Sequence, residues 1–144
     1  MDKFDGLKLE NQLCFPLYVA SKEIIKKYKP LLEKHDLTYT QYIVLMVLWD
    51  KKYINVKELG KSLYLDSGTL TPVLKKLEQK GFIERNRSSK DERNLVVSIS
   101  SKGEILKTKI TDVPLEVGKC MNLNQEDAIN LYKILYKIIN NIEE

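Results

Sequence analysis

The stretch from Val56 to Arg93, VKELGKSLYLDSGTLTPVLKKLEQKGFIERNRSSKDER, constrains the fold more than any other part of the chain. Val56, Leu59 and Leu63 recur at helical spacing and predict a short helix over Val56–Leu63. Asp66 is a suitable N-cap for a second helix that Gly81 would stop. Within it, Leu70, Val73, Leu74 and Leu77 form an inward stripe, while Ser67, Thr69, Thr71, Lys75 and Lys76 occupy the other side. Two helices joined by a short turn, the second apolar inside and rich in hydroxyls and lysines outside, suit a helix lying in a DNA major groove.

The residues that follow predict a β-hairpin wing. Phe82–Arg85 and Leu95–Ile99 read as strands around the polar segment Asn86–Asn94. The three arginines of the chain, Arg85, Arg87 and Arg93, all fall in this hairpin. The rigid fork of a guanidinium suits phosphates and narrow minor grooves better than the point charge of lysine does.

The rest of the chain predicts helices. With 144 residues, 43% apolar and 31% charged, it is expected to form one soluble domain, and its net charge of +4 permits nucleic acid without demanding it. A first helix is expected from about Leu9 to Lys34, carrying Leu13, Leu17, Ala20, Ile24, Tyr28 and Leu31 on one stripe. Pro16 leaves a later start near Phe15 open, and Pro30 is expected to end or bend the helix. Thr38 and Gln41 form a capping box for a buried helix ending near Asp50. Beyond the wing, Ser101 and Glu104 read as a second capping box, opening a helix towards Asp112 that Val113-Pro114 bends or ends and Gly118 weakens. Asn124 is expected to cap a last helix, Gln125–Ile142, in which Ala128, Tyr132, Leu135, Ile139 and Ile142 form a coiled-coil-like seam. That face needs a partner, which predicts a homodimer.

Other classes of function find little support. The polar N-terminus lacks a secretory pattern, and the apolar run Tyr42–Trp49 is too short to cross a bilayer, so a cytoplasmic protein without membrane contact is expected. Neither a Gly-rich phosphate loop nor paired catalytic carboxylates are evident, so the chain is not expected to be an enzyme or to need a cofactor. His35 is the single histidine and cannot build a metal site, and Cys14 and Cys120 lie too far apart to suggest zinc. Cys14 has Tyr18 one helical turn on, and Tyr28 and Tyr39 flank the junction into the second helix. Phenol hydroxyls and a helix N-terminus both favour a thiolate.

The chain resembles the organic hydroperoxide resistance regulators, the OhrR type within the MarR family of winged-helix repressors. The resemblance rests on KLENQLCFPLY at 8–18, YKPLL at 28–32, LTYTQYIVLMVLW at 37–49, LYLDSGTLTPVLKKLEQKGFI at 63–83 and DERN at 91–94. It implies a mainly α fold with a small β-hairpin wing, a winged helix-turn-helix in a MarR-like dimer. Residues 55–100 would read DNA, with 1–36 and 101–144 as dimerisation helices. By the same resemblance, Cys14 is the residue that organic hydroperoxides oxidise, and Tyr18, Tyr28 and Tyr39 surround its thiolate, partly from the opposite subunit. Ser67, Gly68, Thr69, Thr71, Pro72, Lys75 and Lys76 belong to the recognition helix. Arg85, Arg87, Asp91 and Arg93 belong to the wing, whose tip enters the minor groove of double-stranded operator DNA. Some relatives cap the oxidised cysteine with a small thiol. Others resolve it with a second cysteine after a Val-Pro pair, which makes Cys120 the candidate resolving residue. Pro16 departs from many relatives, which carry a small or aliphatic residue there. Two alternatives remain open at this point: a MarR-type repressor released by a small aromatic ligand, and a thiol peroxidase-like enzyme using Cys14.

Overall fold

The computed structural model describes residues 2–88 and 91–143, with the side chains of residues 88 and 91–93 outside that description. After two single-turn 3-10 helices come α1 (Cys14–Glu33), α2 (Tyr39–Lys51), β1 (Tyr53–Asn55), α3 (Val56–Leu63) and α4 (Ser67–Gln79). The strands β2 (Ile83–Ser88) and β3 (Asp91–Ile99) follow, and then α5 (Ser101–Lys109), α6 (Val113–Met121) and α7 (Gln125–Ile142). The fold is mainly helical, with a three-stranded antiparallel sheet of order β1-β3-β2.

The central helix is α2. Val44, Leu45 and Leu48 along it are fully buried and pack with Leu59 of α3, Leu70, Leu74 and Leu77 of α4, and Ile83 and Val97 of the sheet. Thr38 caps α2 in both directions. Its hydroxyl accepts from the Gln41 backbone N–H (3.3 Å), and its own N–H donates to Gln41 Oε1 (3.1 Å). At the far end, Trp49 donates its indole N–H to the Gly103 carbonyl (2.9 Å), which ties α2 to α5. Gly103 is there because α5 crosses very close to the sheet. A Cβ at this position would lie 2.4 Å from the Phe82 carbonyl oxygen and 2.5 Å from Ile99 Cδ1.

Several boundaries differ from expectation. The first helix starts at Cys14, in keeping with the later start near Phe15 and not with Leu9, so Pro16 lies in its first turn, where a missing N–H costs nothing. Pro30 does not end α1, which runs on to Glu33; Pro30 and Lys26, the residue whose carbonyl loses its partner, both sit on an exposed face. Both wing strands reach further towards the tip than the sequence pattern indicated, and β1 was not anticipated. The N-cap of α5 is Ser100 rather than Ser101. Its hydroxyl accepts from the Gly103 N–H (3.1 Å) and donates to the Gly81 carbonyl (2.6 Å). Glu104 meanwhile pairs with Lys52 (2.8 Å) instead of closing a capping box. Val113-Pro114 opens a helix of its own, α6, with Pro114 in the first turn.

The last helix is the exception to this packing. Asn124 caps α7, accepting from the Asp127 N–H (2.8 Å), yet no residue of α7 is buried. Tyr132, Ile134 and Ile142 all stand exposed along it. None of the helices among the described residues is long and apolar enough to cross a membrane.

Candidate DNA-reading and redox sites

The helix-turn-helix is set by two caps and one close approach. Asn55 caps α3 by accepting from the Lys57 N–H (2.8 Å), and Asp66 caps α4 by accepting from the Thr69 N–H (2.7 Å). That hydrogen bond holds the Asp66 carboxyl below its ordinary pKa. Between the helices Tyr64 turns left-handed, with φ of 56°. A Cβ on Gly60 would come within 2.9 Å of the Leu65 carbonyl oxygen, so the tight turn depends on glycine. Leu70, Leu74 and Leu77 of α4 face the core, whereas Ser67, Gly68, Thr69, Thr71, Pro72, Lys75 and Lys76 are all exposed. Pro72 stays within the helix. The result is a continuous face of hydroxyls, lysines and small residues on a helix anchored from behind.

The wing is rooted in α4 by Arg85. Its guanidinium pairs with Glu78 (3.0 Å) and its backbone N–H donates to the same carboxylate (3.2 Å). The first of these hydrogen bonds keeps the Glu78 pKa below its usual range. Arg85 is thus turned back onto the recognition helix, whereas Arg87, further along β2, is exposed. The side chains of Asp91 and Arg93 lie outside the described residues.

The residues expected to take part in redox chemistry fall into two separated groups. Cys14 is the exposed first residue of α1. Tyr18, one turn on, is exposed as well, with Lys22 Nζ 5.4 Å from its ring centroid. Tyr28 and Tyr39 come together elsewhere, their ring centroids 4.8 Å apart. At a rise of ~1.5 Å per residue, the length of α1 places Tyr28 about 21 Å along the axis from Cys14. One chain therefore does not assemble the thiol with these two phenols. A third tyrosine completes the distal cluster: Tyr42 is 4% exposed, with its ring 5.8 Å from that of Tyr28 and 6.3 Å from that of Tyr39. The spacing of Tyr39 and Tyr42, one helical turn apart, was the signal that could have found it. Burial raises the pKa of all three phenols, and neighbouring phenols add to the rise for Tyr28 and Tyr42. At neutral pH all three are hydrogen-bond donors.

Cys120, on α6, is exposed beside a small hollow lined by Ala20, Glu23, Ile24 and Lys27 of α1. These α1 residues lie a turn and a half or more beyond Cys14. Among the described residues, no group of three or more His, Cys, Asp or Glu side chains is placed to hold a metal ion.

The comparisons with known proteins place this arrangement in a family. The transcriptional regulator SarA/Rot family profile matches residues 26–110. The organic hydroperoxide resistance transcriptional regulator of Bacillus subtilis (strain 168) is 46% identical over 143 residues, covering 99% of this chain and 97% of that protein. The HTH-type transcriptional regulator SarZ of Staphylococcus aureus (strain USA300) is 46% identical over 131 residues, covering 91% and 88%. Among solved structures, reduced AbfR bound to DNA superposes with a TM-score of 0.81 at 30% identity, covering 99% of this chain and 100% of that one. The disulfide form of the same protein, from Staphylococcus epidermidis, gives a TM-score of 0.70. The chain belongs to the MarR-type winged helix-turn-helix transcriptional regulators, in the branch that contains OhrR and SarZ.

Proposed function

We propose that this protein is a homodimeric repressor that binds operator DNA when reduced and releases it when an organic hydroperoxide oxidises Cys14. The observation that carries the reading is the separation of Cys14 from the tyrosine cluster. A thiol at the exposed start of α1 and half-buried phenol donors about 21 Å along the same helix form one pocket only if a second copy supplies the other half. The exposed apolar faces of α7 and of the amino-terminal half of α1 provide the surface for that copy. Residues 55–100 then read the operator, and the flanking segments 1–36 and 101–144 join the subunits.

The chemistry needs no cofactor. The Cys14 thiolate attacks one peroxide oxygen, the O–O bond breaks, and the alkoxide leaves as an alcohol after taking a proton. Cys14 is then a sulfenic acid, oxidised by two electrons. The phenols of Tyr28 and Tyr39 in the partner subunit, with Tyr18 nearby, donate to the thiolate and lose that partner once its charge is gone. A thiol, either Cys120 or a small thiol, next attacks the sulfenic sulfur and releases water, leaving a disulfide. The relative AbfR, solved with a disulfide formed, supports the Cys120 route. Release requires coupling of about 1–3 kcal/mol between Cys14 and the DNA face. Loss of hydrogen bonds worth on the order of 1 kcal/mol each is marginal for this, and a covalent tether within a packed interface adds the rest.

The test uses a duplex selected from random sequence by the reduced protein. One equivalent of cumene hydroperoxide should release it from wild type and leave it on Cys14→Ser. Non-reducing gels should show a disulfide-linked dimer for wild type and none for Cys120→Ser. If Cys14→Ser is released as readily as wild type, the cysteine is not the sensor and a non-covalent ligand takes its place.

A further inference from the structure

Gln41, in the same first turn of α2 as Tyr39, reaches the end of the recognition helix and is used by neither the DNA face nor the thiol chemistry. Gln41 is 3% exposed, and its side-chain oxygen accepts two hydrogen bonds. One comes from the Thr38 N–H at the head of α2 (3.1 Å) and the other from Lys80 Nζ (3.0 Å). Lys80 is the C-cap of α4, the residue on which the recognition helix ends. The same ammonium also donates to the Asp36 backbone carbonyl and lies 3.5 Å from the Asp36 carboxylate. From the other side, Lys102 of α5 donates to the Lys80 carbonyl (2.7 Å).

We propose that Gln41 and Lys80 are positioning residues that transmit the state of the tyrosine cluster to the recognition helix. This rests on the redox-repressor reading above. Tyr39 and Gln41 stand two positions apart in the first turn of α2, so they project to different sides of it. Tyr39 meets Tyr28 on one side, and Gln41 meets Lys80 on the other. A movement of Tyr39 on loss of its thiolate partner moves this turn, and the turn carries the acceptor that holds the end of α4. The buried amide oxygen holds both the Thr38 N–H and the Lys80 ammonium, so a shift of the turn strains or weakens its hold on Lys80. The recognition helix is a rod of about 20 Å, and a pull at Lys80 tilts Ser67–Lys76 relative to the groove. The link thus runs from a ring contact, Tyr28 to Tyr39, through the backbone of one helical turn, to a side-chain hydrogen bond, Lys80 to Gln41.

The experiment measures the Kd of full-length protein for the selected duplex by fluorescence anisotropy, before and after one equivalent of cumene hydroperoxide. The rate of Cys14 thiol loss is recorded in parallel. Lys80→Met keeps the aliphatic stem and removes the donor. It should bind the duplex when reduced and lose its thiol at the wild-type rate. Its ratio of oxidised to reduced Kd should nevertheless fall roughly fivefold or more towards one. Lys80→Arg should restore most of the ratio. Lys52→Met, which breaks a different bond between elements, to Glu104, should keep the wild-type ratio. A wild-type ratio in Lys80→Met overturns the proposal, and so does an equal loss in Lys52→Met, which would signal general loosening. A wild-type protein that itself shows no difference on oxidation removes the redox-repressor reading, and this inference with it.

Discussion

The DNA-reading unit and the terminal helix are built on opposite principles. Around α2, α3, α4 and the sheet, Leu45, Leu48, Leu59, Leu70, Leu74 and Leu77 are buried almost completely, and cross-element bonds such as Trp49 to Gly103 and Arg85 to Glu78 fix the pieces together. In α7, and in the amino-terminal half of α1, apolar side chains recur with equal regularity but none is fully buried, and most are exposed. Apolar periodicity alone therefore does not distinguish a helix that completes its own chain from one whose apolar face is left open, which the proposed dimer would cover. The difference lies in what the neighbouring elements offer. The sheet and α2 close over the leucines of α4, and no element closes over α7.

The contrast can be broken or sharpened by experiment. The largest effect should come from the core: Leu74→Ala, at a side chain with 1% exposure, should lower unfolding stability by about 2–5 kcal/mol in urea denaturation. Gly103→Ala should cost about 1–3 kcal/mol by the same measurement, because the new Cβ meets backbone and Ile99, which have little room to yield. Ile134→Asp, on the exposed face of α7, should abolish the proposed dimer in sedimentation and remove the dependence of Tm on protein concentration expected of it. In dilute monomer it should change stability by no more than about 0.5 kcal/mol. A loss as large as that of Leu74→Ala would place α7 in the monomer's own core and end the comparison.

The smallest effect concerns the cap of the recognition helix. The folded-state pKa of Asp66 is depressed, so the carboxylate stabilises the fold above its unfolded-state pKa. That contribution disappears as pH falls through the folded value. Asp66→Asn keeps a capping oxygen that does not titrate. Melting curves of the two proteins should therefore differ at neutral pH, and the difference attributable to the charge should vanish below the ordinary aspartate range.

What was legible in the sequence follows from how local each signal is. The start of α4 at Asp66, the start of α7 at Asn124 and the Thr38–Gln41 box were readable because a cap is a short-range hydrogen bond between neighbours. The strand β1 was not, because Tyr53–Asn55 is a strand only through pairing with residues far away in the chain. Helix α6 was missed because Pro114 carries the same letter whether it breaks a helix or opens one. For the sites, the exposed set Ser67–Lys76 could be read from periodicity, whereas the attachment of Arg85 to Glu78 could not. A guanidinium in a wing and a guanidinium clamped to the preceding helix have the same sequence. Tyr42 was likewise hidden inside an apolar run that already accounted for it.

The pairing of β1 with β3 bears on how the molecule comes into being. Tyr53 sits opposite Ser98, and Asn55 opposite Val96. The helices α2, α3 and α4 need only contacts between near neighbours in sequence, but the edge strand that locks the sheet to them must wait for the chain to travel through both helices and the hairpin and return. Closing so long a loop is entropically costly and slow compared with local helix formation. A nascent chain that stops short of Val96 would carry the complete face Ser67–Lys76 with no finished sheet behind it. On the proposed reading, that face gains its finished backing only once Val96–Ser98 are made, and it gains it through one register of three residue pairs.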